Sequence, residues 1–350
     1  MISDSTMSTI SIVMPIHGNW ERCRASLQAL RALRPAPRDI ILVTDGPMTG
    51  DRTVAESLKV LSTGTAFCKG AGTARNLGTT IATGDILLFV DSDVVVPADL
   101  LQQIDRALAD YPNADAIFGS YDAEPGGRNF LSQYKNLLHH FVHQNAPEEV
   151  ATFWTGCGAI RAPIFRALGG FDESRGQLED VELGFRLTKH GHAVRLCKSI
   201  QVKHLKLYSA PSLLRSDILD RALPWSRLIL NADSWPSEAN LQQGQTLSAV
   251  LLALFVVLFL GGGLLHPLLF LFSLLPLTGL LCLNRAFYRF LLKHRGAGFL
   301  FASLWWHWLA FGYASAVFAW AWSQKKLSFF GSPWEEREPA TKAAPALISQ

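Results

Sequence analysis

The amino-acid sequence predicts an α/β domain built on a parallel sheet with helices on both faces, followed by a membrane region. Short apolar runs alternate with helix-forming segments along the N-terminal part of the 350-residue chain, as in consecutive βαβ units. Several of these runs end in polar residues, and ligands of parallel sheets bind at such strand ends. Residues 239–284 and 299–324 contain no Asp, Glu, Lys or Arg, which indicates membrane spans.

The first predicted strand is "TISIVMPIHG", which ends in Pro15 and His17, and a helix is expected over "WERCRASLQALRAL". The second strand, "RDIILVTDG", ends at Asp45, and "AFCKG" is expected to form a short third strand. A helix over "GTARNLGTTIATG" precedes the strand "DILLFVDSD" and the helix "PADLLQQIDRALADY". Because the carboxyl ends of parallel strands share one edge of a sheet, we expect His17, Asp45 and Asp91 to lie along that edge.

The strand Ile86 to Val90 is apolar throughout and is followed by Asp91, Ser92 and Asp93. Such a run is typical of a strand that is buried on both faces. Burying one unpaired carboxylate costs several kcal/mol, and two like charges cost more. The sequence therefore predicts a bound cation or an open cleft at this strand end.

Three later segments carry further polar residues. "TFWTGCGAIRAPIFRALGGFDE" contains Gly156 and Gly158 and then a helix. Glu179 and Asp180 begin another helix, where acidic residues are common for dipole reasons alone. "IQVKHLK" is a strand that carries His204, and a single histidine is more often packed or exposed than a ligand.

The segment "KGAGTARNLG" has Arg75 where a third glycine would complete a dinucleotide fingerprint, so that motif is disfavoured. Two interpretations stay open: an ordinary helix N-terminus, or amides and Arg75 that face a nucleotide phosphate or base. The segment "NFLSQYKNLLHHFVHQN" places apolar side chains on one helical face, at Phe130, Tyr134, Leu137, Phe141 and Val142. This pattern predicts an amphipathic helix against the core or the membrane surface, with acceptor binding as the alternative.

Composition excludes several classes of protein. The net charge is +3 and the basic residues are scattered, so no nucleic-acid partner is expected. The five cysteines are odd in number and contain no C-x-x-C pair, which disfavours zinc ribbons and disulfide frameworks and suits a reducing compartment. The N-terminus has neither a basic region nor a long apolar core, so no signal peptide is expected.

The apolar tract 239–284 is too long for one span and breaks at "GGGLLHP", so two spans of about 18–20 residues are expected. The intervening segment "NRAFYRFLLKHRGAG" is basic, through Arg285, Arg289, Lys293 and Arg295. Positive charge favours the cytoplasmic side, so we expect an inner (cytoplasmic) membrane protein whose N-terminal domain faces the cytoplasm. The expected regions are a domain over 1–238, a membrane region with two or three spans over 239–324, and a flexible tail over 325–350.

In this order, "SIVMPIHG", "ILVTDG", "GTARNLG", "FVDSDVVVP", "GCGAIRAPIFRALGGFDE", "LEDVELGFRL" and "KHLK" resemble the family-2 glycosyltransferases of the GT-A (Rossmann-like) fold. The resemblance covers roughly Ser8 to Trp225. It departs from the family in two places. Thr44 and Asp45 stand where two adjacent acids are usual. "DRALPWSRL" replaces the Q-x-x-R-W of processive synthases, so polymer synthesis is not expected.

The resemblance implies that Asp91, Asp93 and His204 bind Mg²⁺ or Mn²⁺ against the diphosphate of a nucleotide-sugar, where the cation stabilises the departing diphosphate. It implies that Asp180, beside Glu179, is the catalytic base that takes a proton from the acceptor hydroxyl. It further implies that the donor is bound by Pro15, His17, Asp45, Arg75, Asp91, Gly156, Gly158, Arg221 and Trp225.

The leading hypothesis is a membrane-bound inverting glycosyltransferase that moves a sugar from a nucleotide-diphospho-sugar, with a UDP-sugar expected, to a hydroxyl of a lipid or lipid-linked acceptor. The alternative is a polyprenyl-phosphate sugar synthase, whose acceptor phosphate is already ionised and needs no base. A further alternative is a non-catalytic, nucleotide-binding membrane scaffold. The presence of both acidic pairs, at Asp91 and Asp93 and at Glu179 and Asp180, argues against a scaffold.

Overall fold

The computed structural model describes residues 8–231 and 243–329, and the strands and helices below are those of the described residues. The strands are β1 (Ile10–Asn19), β2 (Asp39–Thr49), β3 (Lys59–Ser62), β4 (Ile86–Val90), β5 (Val94–Val95), β6 (Ala114–Tyr121), β7 (Glu149–Val150), β8 (Cys157–Arg161) and β9 (Ala193–His204). The helices of the N-terminal domain are α1 (Arg24–Arg31), α2 (Ala71–Thr79), α3 (Leu100–Asp110), α4 (Phe130–Asn145), α5 (Ala162–Ala167), α6 (Glu179–Lys189), α7 (Ala210–Asp217) and α8 (Leu223–Asn231). They are followed by α9 (Gln243–Leu264), α10 (Leu268–Leu283) and α11 (Arg285–Phe329).

The strands form one sheet in the order β3-β2-β1-β4-β8-β6-β9-β5, and β7 pairs with β9. β1 is parallel to β2 and β4, but β8 is antiparallel to both β4 and β6. The prediction of a parallel sheet therefore holds for β1 to β4 and for the pair of β6 and β9, but it is wrong for β5, β7 and β8. The chain enters β8 at the edge where β4 ends, since the Asp91 amide donates to the Gly156 carbonyl oxygen, and so it must run back along β4.

The predicted third strand "AFCKG" is also wrong, because the strand that pairs with β2 is β3, earlier in the chain. Residues 66–70 form a loop at the carboxyl edge of the sheet. The backbone amides of Lys69 and Gly70 donate to the Asp45 carboxylate at 3.0 and 2.8 Å. Their hydrogen-bonding capacity is thus used by a side chain instead of a strand ladder.

Apolar side chains pack on both faces of the sheet, as the continuous apolar run of β4 predicts. All five residues of β4 are buried. Leu88 packs into the cluster on one face and Phe89 into the cluster on the other. The two acidic residues after β4 therefore follow a strand that is held rigidly from both sides.

Among the described residues, Gly244–Leu264 is the one helix of sufficient length and apolarity to cross a membrane. The pair Leu268–Leu283 and Arg285–Lys326, bent by 65°, would count as a second if it were one span. α10 has 16 residues and falls short of the roughly 20 that a span needs. Of the expected two or three spans, the described helices thus offer one or at most two.

The predicted boundary at 238 lies outside the described residues, as does the tail from 330 onward. Residues 325–329 belong to α11, so the helix extends into the region predicted as tail. α11 is broken at Gly296, whose φ of 81° only glycine adopts readily. The break separates its basic first part from its tryptophan-rich second part.

The amphipathic face predicted for α4 packs on the first part of α11. Tyr134 and Leu137 form a buried cluster with Phe287 and Leu291. Arg295 donates to the side chain of Gln133 at 2.8 Å and so binds the N-terminal domain. One of the four cations of the basic segment therefore faces protein, and the exposed ones recur every fourth residue, at Arg285, Arg289 and Lys293.

Candidate active site

Three of the predicted donor-binding residues lie in the carboxyl-terminal halves of β1 and β2, which extend beyond them to Asn19 and Thr49. Pro15 is half-buried within β1, and the exposed His17 places its Nδ1 3.1 Å from the Asp45 carbonyl oxygen. The buried Asp45 carboxylate holds the amides of Lys69 and Gly70 and so organises the loop that leads into α2. A direct contact of Asp45 with a nucleotide stays a prediction.

Arg75 is the buried cation at the centre of the site, with 3% of its surface exposed. Its Nη1 donates to Glu179 Oε1 at 2.5 Å, and its Nη2 donates to Asp91 Oδ1 at 2.7 Å. Gly72 permits this close packing, because a Cβ there would lie 3.1 Å from the Glu179 Cγ. Arg75 thus joins the two acidic segments, and its direct contact with a phosphate stays a prediction.

The carboxylates around Arg75 influence one another. Burial raises the pKa of Asp91, Arg75 opposes this, and the charges of Asp93 and Asp180 raise it further. Burial also raises the pKa of Glu179, again opposed by Arg75 and reinforced by Asp180. Asp91 and Glu179, predicted from two distant segments, therefore meet on one buried arginine, and Asp93 and Asp180 lie close enough to influence them.

Asp93 faces His204 across the pairing of β5 with β9. Asp93 Oδ2 lies 3.6 Å from His204 Nε2, and the imidazole stacks on Tyr121 with ring centroids 4.1 Å apart. Burial raises the pKa of Asp93, but His204, the charge of Lys206 and a backbone hydrogen bond together lower it overall.

The described residues contain no group of three His, Cys, Asp or Glu side chains that could hold a metal ion by themselves. Asp93 and His204 would supply two ligands. Mg²⁺ is commonly bound through one or two carboxylates, water and substrate phosphates, so this pair fits a cation whose coordination a diphosphate completes.

Asp180 differs from Glu179 in its partners. Asp180 Oδ2 accepts hydrogen bonds from the Thr155 amide at 3.3 Å and from the Thr155 hydroxyl at 3.2 Å. Both of these donors are uncharged. Leu178, which directly precedes Glu179 and Asp180, has a left-handed φ of 62°. This conformation turns the chain so that Glu179 meets Arg75. Such strain in a non-glycine residue is common beside functional sites.

Gly156 and Gly158 make room for the aromatic residues that precede them. A Cβ on Gly156 would lie 2.1 Å from the Trp154 ring, and one on Gly158 would lie 2.3 Å from the Trp154 carbonyl oxygen. Gly156 also accepts from the Asp91 amide at 3.4 Å, which places it beside the acidic centre. Their role toward a donor sugar stays a prediction.

Arg221 lies in a turn of π-helix, Ile218–Ala222, between α7 and α8. Its Nη1 donates to His139 Nε2 at 2.7 Å. Burial, followed by the charges of Arg221 and Lys135, holds the pKa of His139 well below its usual range, so this imidazole is neutral. Trp225 packs edge-on against Phe185 of α6, with ring centroids 6.3 Å apart.

Sequence reasoning missed three residues near this site. Tyr121 ends β6, a strand absent from the predicted elements. Lys135 and Asp217 form an ion pair of 2.5 Å whose side chains are both almost wholly buried. The available signal was that Lys135 is the one Lys, Arg, Asp or Glu in the sequence of α4.

Residues 11–169 match the model of the family described as Glycosyl transferase family 2. Residues 11–169 therefore form a glycosyltransferase domain of this family. This domain accounts for the sheet from β1 through β8 and for the acidic pair after β4. The expectation from the sequence motifs is confirmed for the family.

Curated relatives of the glycosyltransferase domain are 26% identical to it. They are the pre-mycofactocin glycosyltransferase of Mycobacterium tuberculosis (196 residues, 53% of this chain and 40% of that protein), the validoxylamine A glucosyltransferase of Streptomyces hygroscopicus subsp. limoneus (247 residues, 59% and 54%) and a succinoglycan biosynthesis protein of Rhizobium meliloti (210 residues, 55% and 62%). The chain spans about half the length of these relatives.

A solved structure with a similar fold is the mannosyltransferase from Pyrobaculum calidifontis in complex with GDP-Man and Mn²⁺. The two chains superpose with a TM-score of 0.54 at 16% identity, over 90% of this chain and 88% of that one. This likeness concerns the fold alone. It confirms the GT-A-like architecture expected for the glycosyltransferase domain.

Proposed function

We propose that the protein transfers a sugar, with inversion, from a nucleotide-diphospho-sugar to a hydroxyl of a lipid or lipid-linked acceptor at the cytoplasmic face of a membrane. The observation that carries the proposal is that the two acidic residues that begin α6 have different partners. Glu179 is neutralised by Arg75, whereas the hydrogen bonds to Asp180 come from uncharged groups, the amide and hydroxyl of Thr155 and the amide of Val181. A carboxylate of the second kind is available to accept a proton.

In the proposed reaction, the Asp180 carboxylate takes the proton of the acceptor hydroxyl as its oxygen bonds to the anomeric carbon. The bond between that carbon and the diphosphate breaks, and the electron pair leaves with the diphosphate. A divalent cation held at Asp93 and His204, with Asp91 close by, would supply Lewis-acid stabilisation of the departing charge. The Arg221 guanidinium, whose described hydrogen bond is to a neutral imidazole, is free to bind an oxygen of the diphosphate.

The membrane acceptor is supported by the long apolar helix Gly244–Leu264 and by the docking of α4 on α11. An apolar acceptor is concentrated in a bilayer, so attachment of the active site there raises its effective concentration without a new contact. Succinoglycan synthesis by one relative is a property of that protein. The proposal uses only the chemistry shared by the family, a nucleotide-sugar donor.

The test is a donor screen with the purified full-length protein in vesicles of total bacterial lipid, in which new glycolipids are detected by mass. Asp180→Asn should retain nucleotide-sugar binding and lose about 10²–10⁴-fold in transfer, because an amide cannot act as the base. The matched control is Asp115→Asn. Asp115 lies at the start of β6, at the other end of the strand from the acidic centre, and its carboxylate pairs with His192. This control should keep full transfer.

A chelator should abolish transfer, Mn²⁺ or Mg²⁺ should restore it, and Asp93→Ala should not be restored. Full activity in the chelator would refute the metal site. Unchanged transfer by Asp180→Asn would indicate an acceptor that is already ionised, such as a polyprenyl phosphate, and would refute the role of base. Absence of transfer from every nucleotide-sugar would favour a scaffold.

A further inference from the structure

Two helical segments face each other beside the acidic centre through two polar pairs with the same spacing. α4 contributes Lys135 and His139, four residues apart, and the chain from α7 into the π-helix contributes Asp217 and Arg221, also four residues apart. Lys135 Nζ lies 2.5 Å from Asp217 Oδ1, and Arg221 Nη1 lies 2.7 Å from His139 Nε2. Residues four apart share one helical face, so the two pairs form a ladder.

The C-terminal helix closes this ladder at one end. The Tyr313 hydroxyl, in the second part of α11, donates to Asp217 Oδ2 at 2.7 Å. Asp217 and Lys135 are each only 7% exposed. A buried ion pair is stable only when its geometry is good and further hydrogen bonds satisfy the charges, and Tyr313 supplies one.

The ladder ends at a cation that is not neutralised. Arg221 forms no ion pair with the described Asp and Glu side chains, and its described partner, His139, is neutral. The π-helix Ile218–Ala222 that carries Arg221 begins directly after Asp217. Short π-helical turns are frequent at functional sites, and this one has its first residue fixed by the neighbouring Asp217.

We infer that Tyr313, Asp217 and Lys135 are positioning residues for Arg221. Docking of α11 on the glycosyltransferase domain then determines how tightly the donor diphosphate is bound. This inference rests on the proposed function, in which Arg221 binds that diphosphate. The hydrogen bond from Tyr313 holds Asp217 in place, and Asp217 in turn holds the first residue of the π-helix. The π-helix then orients the guanidinium of Arg221. The C-terminal helix is then part of the donor site as well as an attachment to lipid.

The test measures binding of UDP and of GDP, each with Mn²⁺, to the full-length protein by calorimetry. Tyr313→Phe should weaken binding of the preferred nucleotide about 3–10-fold, within the range of coupling for residues of one network. The matched control is Tyr288→Phe, which removes the same hydroxyl from the same helix. The Tyr288 hydroxyl contacts His307 and Trp308, both within α11, so the control should leave binding unchanged.

A double-mutant cycle separates positioning from general loosening of the structure. Once Arg221→Ala has removed the guanidinium, Tyr313→Phe should weaken nucleotide binding no further. Asp217→Asn, which keeps the shape of the side chain, should behave like Tyr313→Phe in both backgrounds. A thermal midpoint that is unchanged in Tyr313→Phe would accompany the expected result.

Equal weakening by Tyr313→Phe with and without Arg221, or by Tyr288→Phe, would overturn the inference. So would unchanged binding in Tyr313→Phe while Arg221→Ala weakens it, and in that case the proposed function would stand. Failure of the unmodified protein to bind either nucleotide would instead refute the proposed function itself.

Discussion

Replacing Arg75 by methionine should destabilise the N-terminal domain by about 3–5 kcal/mol, the usual cost of removing one partner from a buried ion pair. Methionine has a similar length, so the change removes charge more than volume. The structure sets the magnitude, because the Arg75 side chain is 4% exposed and that of Glu179 is 9% exposed. Asp91, at 32%, is partly solvated and adds less.

The matched control is Arg24→Met. Arg24 donates through Nε and Nη2 to both carboxylate oxygens of Glu21, each at 2.8 Å, but the two side chains are about half exposed. Surface pairs contribute little because water and salt screen them, so this variant should unfold nearly as the unmodified protein does. Burial is then the main difference between the two substitutions.

The assay is urea unfolding of the detergent-solubilised protein, followed by tryptophan fluorescence at several pH values. In the folded Arg75→Met variant the pKa of Glu179, already raised by burial, rises further because the opposing charge is gone. A raised folded-state pKa means that stability is lost as pH increases. The deficit should therefore be small below the ordinary glutamate pKa and should grow above it. Adding Glu179→Gln should recover part of the loss.

Equal destabilisation by Arg75→Met and Arg24→Met, or a loss of stability that does not depend on pH, would show that the acidic centre does not depend on one buried cation.

Two further substitutions test packing and buried polar structure. Gly158→Ala should destabilise by about 1–3 kcal/mol, since its Cβ would lie 2.3 Å from the Trp154 carbonyl oxygen, whereas Gly176→Ala, with open space around it, should be near neutral in the same urea assay; equal effects would contradict this. Asp39→Ala should cost about 1–3 kcal/mol at neutral pH, because the Asp39 carboxylate accepts from the amide and hydroxyl of Thr83. Burial raises the pKa of Asp39, but its hydrogen bonds, above all the one from Lys59, lower the pKa overall. The stability that Asp39 contributes should therefore fade as pH falls below the ordinary aspartate range. A loss of stability in Asp39→Ala that persists at such low pH would contradict this prediction.

The features that depend on short-range pattern could be predicted from the amino-acid sequence. The apolar run of β4 predicted a strand packed on both faces, and the acidic residues after it predicted a polar strand end. The helix that begins at Glu179 was readable from its acidic first turn, and the family was readable from the ordered motifs. These inferences succeed because strand and helix periodicity act over a few residues.

Which polar groups meet in the active site depends on the tertiary fold. Arg75 and Glu179 are separated by 104 positions in the chain, and Tyr313 and Asp217 by 96, so no local pattern could pair them. The direction of β8 was likewise undetermined, because a short apolar strand reads the same in parallel and antiparallel pairing. Burial also makes these contacts strong. On separate, solvated segments water would screen the charges, but once the sheet and α11 exclude water an unpaired charge is costly, so the charged groups pair with one another.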